Sequence, residues 1–151
     1  YITANPQVTF FKTVYRRHTN FAQESIEVIF QGETSFGKQM DAVIQRSGDL
    51  AKEIYFVFDL PAIINPNEDC DCDAWVHWTN AIGHAIIERV AILIGGQTID
   101  EQFGEFLEIW EELTADSARR LEEMIGKRFS RAQLIEDAKL PRRYYTPLQF
   151  W

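Results

Sequence analysis

From residue 23 to residue 31 the chain alternates between apolar and polar positions. Ile26, Val28 and Phe30 fall on one side, Ser25 and Glu27 on the other, and Ile29 interrupts the pattern. A period of two predicts a half-buried strand, ended by Gln31-Gly32. A second strand is expected over 36–46, where Met40, Ala42 and Ile44 share a face opposite Val43. Arg46-Ser47-Gly48-Asp49 then reads as a turn. Residues 53–60 are apolar or aromatic at nearly every position, as in a strand buried on both faces, and Pro61 stops it. Asn65-Pro66-Asn67 opens a loop over 63–74. Residues 75–84 are ambiguous, with a short helix as one reading. Residues 85–94 read as a long strand, which Gly95-Gly96 turns back into Gln97-Thr98-Ile99-Asp100 as a hairpin.

The period changes at Gly104. Phe106, Leu107, Ile109, Trp110 and Leu113 recur at helical spacing, with Glu105, Glu108, Glu111 and Glu112 between them. This predicts an amphipathic helix whose carboxylates face solvent. Asp116 is a candidate cap for a second helix through Ala118, Leu121, Met124 and Ile125, ended by Gly126. Ser130 is placed to cap a third over 130–138, and Pro141 closes the helical stretch. Residues 144–151 return to strand character.

Strands, then helices over about 104–140, then strand again do not alternate as βαβ units do. The simpler reading is a mainly β chain: a β-sandwich with a helical insert between two strands, forming one domain over 1–151. Eleven Phe, five Tyr and four Trp suit half-buried strands and interfaces.

Charge narrows the function. Fifteen Lys and Arg stand against twenty-three Asp and Glu, a net charge of −8, which disfavours nucleic acid as the main partner. Arg16-Arg17-His18 is too short a basic run to change that and reads as a solvated turn. No apolar run is long enough for a membrane span. The chain begins at Tyr1 rather than Met and stops at Trp151 within an apolar run, so it reads as an internal fragment.

Candidate chemistry is sparse. Cys70 and Cys72 are too close for an unstrained disulfide, and their acidic neighbours disfavour a reactive thiolate. With His77 and His84 they match no established zinc spacing. Glu108, Glu111 and Glu112 are three carboxylates close together on one helix, and glycoside hydrolysis uses such groups in pairs, but their interleaving with Ile109, Trp110 and Leu113 fits a solvent face. His84 reads as a packing or strand-edge histidine. Gly95-Gly96 opens no phosphate-binding helix. No catalytic, cofactor-binding or metal residue is assigned on these grounds, and no cofactor is expected.

Several segments together resemble one family. Asn5-Pro6-Gln7-Val8-Thr9-Phe10-Phe11-Lys12, Tyr15-Arg16-Arg17-His18-Thr19-Asn20-Phe21-Ala22 and Glu24-Ser25-Ile26 are similar to the opening of the major capsid proteins of nucleocytoplasmic large DNA viruses. Gly83-His84-Ala85-Ile86-Ile87 and Ile94-Gly95-Gly96-Gln97-Thr98-Ile99-Asp100 resemble that family's central hairpin. Leu107-Glu108-Ile109-Trp110-Glu111-Glu112-Leu113-Thr114 resembles its following helix, and Tyr145-Thr146-Pro147-Leu148-Gln149-Phe150-Trp151 its next strand. The stretches from Asn65 to Asp73 and from Ala115 to Leu140 match nothing in the family pattern.

The resemblance implies the first of two jelly-roll domains, lacking its last strands, and a structural rather than enzymatic role. It implies homotrimeric pseudo-hexagonal capsomers in an icosahedral virion, touching neighbouring capsomers and minor capsid proteins. Arg16-Arg17-His18 would then lie near the capsomer base, with an acidic neighbour or the inner shell as its contact. Unpaired strand edges would make such a fragment prone to aggregation. The rival reading is a β-sandwich carbohydrate-binding module, which requires Trp75 and Trp78 exposed on one sheet.

Overall fold

A computed structural model describes residues 19–63, 76–115 and 121–150. Arg16, Arg17, Cys70, Cys72, Trp75, Asp116 and Ala118 lie outside the described residues. The chain divides into two compact units, residues 1–49 and 50–151.

In the first unit the two expected strands reduce to one antiparallel bridge, in which the Gln31 N–H donates to the Asp41 carbonyl at 2.7 Å. Ile26, Ile29, Val43 and Ile44 are all more than half exposed. The alternation is present, but its apolar side chains stay largely exposed and no ladder extends from the bridge.

The second unit contains the described strands and helices. β1 (Ile54–Leu60) pairs antiparallel with β4 (Arg142–Leu148), from Ile54 opposite Leu148 to Leu60 opposite Arg142. β1 is not buried on both faces as its composition suggests. Ile54, Phe56, Phe58 and Leu60 turn inward while Tyr55, Val57 and Asp59 face out. Phe58 stacks on Tyr144 across the ladder, ring centroids 5.5 Å apart. On the outer face Arg143 donates two hydrogen bonds to Asp59, each 2.8 Å, directly across the register.

The hairpin forms where expected. β2 (Val90–Ile94) pairs with β3 (Gln97–Gln102), with a bulge between Ile92 and Leu93. Gly95 and Gly96 have φ of 60° and 83°, the doubly positive geometry that a tight hairpin turn demands and glycine supplies without strain. The strand begins at Val90, not at 85. Residues Ile82–Ala85 form a one-turn helix, α1, and the Ile87 carbonyl accepts the Gly104 N–H at 3.2 Å rather than joining a ladder.

The helical stretch comprises α2 (Gly104–Thr114), α3 (Glu122–Ile125) and α4 (Arg131–Ala138). Ser130 caps α4, its hydroxyl oxygen accepting the Ala132 N–H at 3.3 Å. Gly126 ends α3 at φ 74°, and a Cβ there would also meet the Tyr144 ring at 2.7 Å.

Leu60, Ile82 and Tyr144 form the core, with Phe58, Trp78 and Ile86 against it. Ile125 and Thr146 are fully buried, and the Thr146 hydroxyl donates to the Gly83 carbonyl at 3.0 Å. Gln102, at the end of β3, accepts the Gln149 N–H at 3.0 Å, which ties the hairpin to the strand after β4. The core therefore lies where β1, β4, α1 and α3 meet.

Candidate functional site

The side of α2 that packs against its own unit is not the side its apolar pattern suggests. Gly104, Leu107 and Glu111 are buried and Glu108 is half-buried, at spacings of three and four. The apolar row Phe106, Ile109, Trp110 and Leu113 follows the same spacing one step around the helix and stands exposed, Leu113 at 78%. Phe106 and Trp110 lie against each other in that row, centroids 6.0 Å apart. The expected solvent face thus holds for Glu112 but not for Glu111. The cause lies at the helix start. The Gly104 N–H is held by Ile87, and Leu107, 2% exposed, inserts into the interior, so the rotation of the whole helix is set in its first turn.

The inward carboxylates meet a histidine and a lysine. His84, on α1, is 3% exposed, and its Nδ1 donates to Glu108 Oε2 at 2.6 Å. Lys127, just after α3, donates to Glu108 Oε1 at 2.5 Å and to Glu112 Oε1. Burial works against the charged form of Glu108, yet the hydrogen bonds from Lys127 and His84 outweigh it and hold the carboxyl below its ordinary range. Burial likewise opposes the Lys127 charge, and the bonds to Glu108 and Glu112 overcome it and raise its pKa. Glu111 Oε1 accepts the Leu121 N–H at 3.0 Å, while its buried Oε2 has no hydrogen-bond partner. One ligand atom each from His84, Glu108 and Glu111 lie within 4.8 Å of one another. A cavity of about 280 Å³ adjoins His84, lined by Ile87, Phe103 and Gly104 among others.

Of the other residues weighed from sequence, His77 and Trp78 are described and neither joins this cluster. His77 hydrogen-bonds the Trp78 carbonyl at 2.7 Å. Trp78 is half-buried against the core, not set in an exposed aromatic row. A second ionic cluster was not legible in the sequence. Asp137, on α4, accepts from Arg128 at 2.7 Å and pairs with Arg142 at 2.5 Å, while Arg128 also reaches Glu123 at 3.0 Å. It joins α3, α4 and the start of β4, and its charges are mutually compensated.

Two features are therefore open to a functional reading: the exposed apolar row of α2 and the polar cluster beneath it. The family described as "Major capsid protein N-terminus" matches residues 9–151. "Probable capsid protein 4" of Acanthamoeba polyphaga mimivirus is 40% identical over 157 residues, covering 100% of this chain and 30% of that protein. The "Major capsid protein" of Phaeocystis pouchetii virus is 35% identical over 176 residues, covering 100% and 33%. That of Paramecium bursaria Chlorella virus 1 is 33% identical over 156 residues, covering 100% and 32%. The crystal structure of PBCV-1 VP54, fitted into a cryo-EM reconstruction of the virophage Sputnik, superposes with a TM-score of 0.71 at 31% identity, over 95% of this chain and 32% of that one. The chain thus spans between 30 and 33% of the length of these proteins. The likeness bears out the mainly β jelly-roll class with its helical excursion.

Proposed function

Since the chain belongs to the major capsid protein N-terminus family, we propose that it is part of the major capsid subunit of a large DNA virus, a structural protein of the virion rather than an enzyme. Residues 1–151 are then part of the first of two jelly-roll domains, with the helices over about 104–140 as its insert. The subunit assembles into homotrimeric, pseudo-hexagonal capsomers, which contact neighbouring capsomers and minor capsid proteins in an icosahedral shell.

The observation that carries this reading is the agreement of sequence and structure over one span: a family match to residues 9–151 and a superposition covering 95% of the chain. The α2 surface is consistent with it. Four large apolar side chains in a row on one helix are costly to leave in water and mark an interaction face. The carbohydrate-binding reading lacks such support, because Trp78 serves the core.

The test is the mass of the full-length protein in solution, by light scattering. A stable trimer, closed by threefold symmetry, is expected. A monomer at all concentrations overturns the capsomer assignment.

A further inference from the structure

Glu111 presents an unresolved problem in polar satisfaction. It carries the one buried side-chain oxygen without a hydrogen-bond partner among the described residues. Buried carboxylate oxygens are ordinarily satisfied by donors or by a cation. One of its carboxylate oxygens lies within 4.8 Å of a ring nitrogen of the almost fully buried His84 and of a carboxylate oxygen of Glu108.

We propose that His84, Glu108 and Glu111 form a binding site for a single divalent transition-metal ion, Zn²⁺, which clamps α2 to α1. The donor set is one imidazole nitrogen and two carboxylate oxygens. Zinc accepts that mixture in tetrahedral sites, with a fourth position left for water. Calcium and magnesium prefer six or more oxygens. Ligand atoms about 2.0–2.1 Å from zinc stand roughly 3.4 Å from one another in a tetrahedron. The site admits that spacing: His84 Nδ1 and Glu108 Oε2 are 2.6 Å apart, and one ligand atom from each of the three residues lies within 4.8 Å of the others. Zinc therefore needs the His84–Glu108 pair to open by side-chain rotation and the imidazole proton to sit on Nε2, which frees Nδ1 as the ligand.

The charges also divide cleanly. Lys127 bonds Oε1 of Glu108, not the Oε2 that faces His84, and it has Glu112 as its second partner. Zn²⁺ is matched by Glu108 and Glu111, and the Lys127 ammonium by Glu112, so the lysine stays in place when the metal binds. This site is separate from the pairing of Cys70 and Cys72 with His77 and His84 that the sequence brings to mind. It shares only His84 with that set and uses no thiolate.

The experiment uses the full-length protein, dialysed against a chelator and titrated with ZnCl₂. One zinc per chain is expected, with a melting temperature that rises as zinc is added and falls again with excess chelator. Co²⁺ in place of zinc is expected to give a visible spectrum without thiolate charge-transfer bands. Glu111→Gln keeps an acceptor for Leu121 and should weaken zinc at least about tenfold, since even outer-shell changes cost that much. Glu105→Gln, on the exposed first turn of α2, should leave uptake unchanged. If Glu111→Gln fails to fold, the metal content and zinc-dependent melting of the unmodified protein decide the matter. No zinc-dependent stabilisation, thiolate bands in the cobalt form, or a folded Glu111→Gln protein with undiminished affinity overturns the proposal.

Discussion

The carboxamide of Asn80 holds the backbone of Arg128 from both sides: Oδ1 accepts the Arg128 N–H at 2.8 Å and Nδ2 donates to the Arg128 carbonyl at 3.0 Å. Residues far apart in the chain are thereby joined much as two strands are, and the approach of α3 to α1 is set. The neighbouring Ala81 N–H donates to the Gly126 carbonyl at 3.2 Å, extending the same seam. Asn80→Ala is expected to lower the stability of the full-length protein by about 1–2 kcal/mol, the worth of the lost bonds at a partly solvated site. Asn80→Asp keeps the acceptor but sets a second oxygen against the Arg128 carbonyl, so it should recover only part of the loss. Thermal melts of the two variants check this.

The two faces of α2 should respond oppositely to substitution. Leu107→Ala, at a position 2% exposed, is expected to cost about 2–5 kcal/mol through lost burial and the cavity left behind. Ile109→Asp, at a position 59% exposed, should change subunit stability by no more than about 0.5 kcal/mol. If the apolar row is an assembly face, the same substitution should weaken assembly. Melting curves and light scattering on both variants separate the two effects.

Stability should fall at both ends of the pH scale through one cluster. Glu108 has its carboxyl pKa lowered in the fold. Its contribution is therefore complete above the ordinary value of 4.5 and is lost as pH drops through the lower folded value. Lys127 has its pKa raised. Its contribution is complete below 10.5 and is lost as pH climbs through the higher folded value. Lys127→Met is expected to flatten both arms of a stability–pH profile. A variant profile as steep as the original would remove the cluster from this role.

Gly104 should tolerate no side chain. A Cβ there would run into the carbonyl oxygens of His84 and Ile87, which are fixed by backbone hydrogen bonds and cannot retreat. Gly104→Ala is expected to cost about 3 kcal/mol, at the upper end for overpacking. Gly48→Ala, where a Cβ meets nothing within 4 Å, should stay within about 0.5 kcal/mol. Comparative denaturation of the two checks the contrast.

What the amino-acid sequence determined by itself is whatever a few neighbouring residues decide. Gly95-Gly96 set the hairpin, Ser130 the start of α4 and Gly126 the end of α3, because turn and cap geometry depend on local φ and side-chain reach. The helical period over Gly104–Thr114 was equally legible. The tertiary structure decided the rest. The alternation at residues 23–31 and 36–46 produced one bridge, since a strand needs a partner and a cover as well as a pattern. The pairing of Ile54 with Leu148 joins the two ends of the second unit, and no local rule contains it. Above all, a period of 3.6 marks an apolar row without saying what that row will meet. Here the Gly104–Ile87 contact and the insertion of Leu107 turned Glu111 inward beside His84 and left Trp110 and Leu113 facing out. That choice rests on contacts between segments distant in the chain, and it created both the polar cluster and the exposed face.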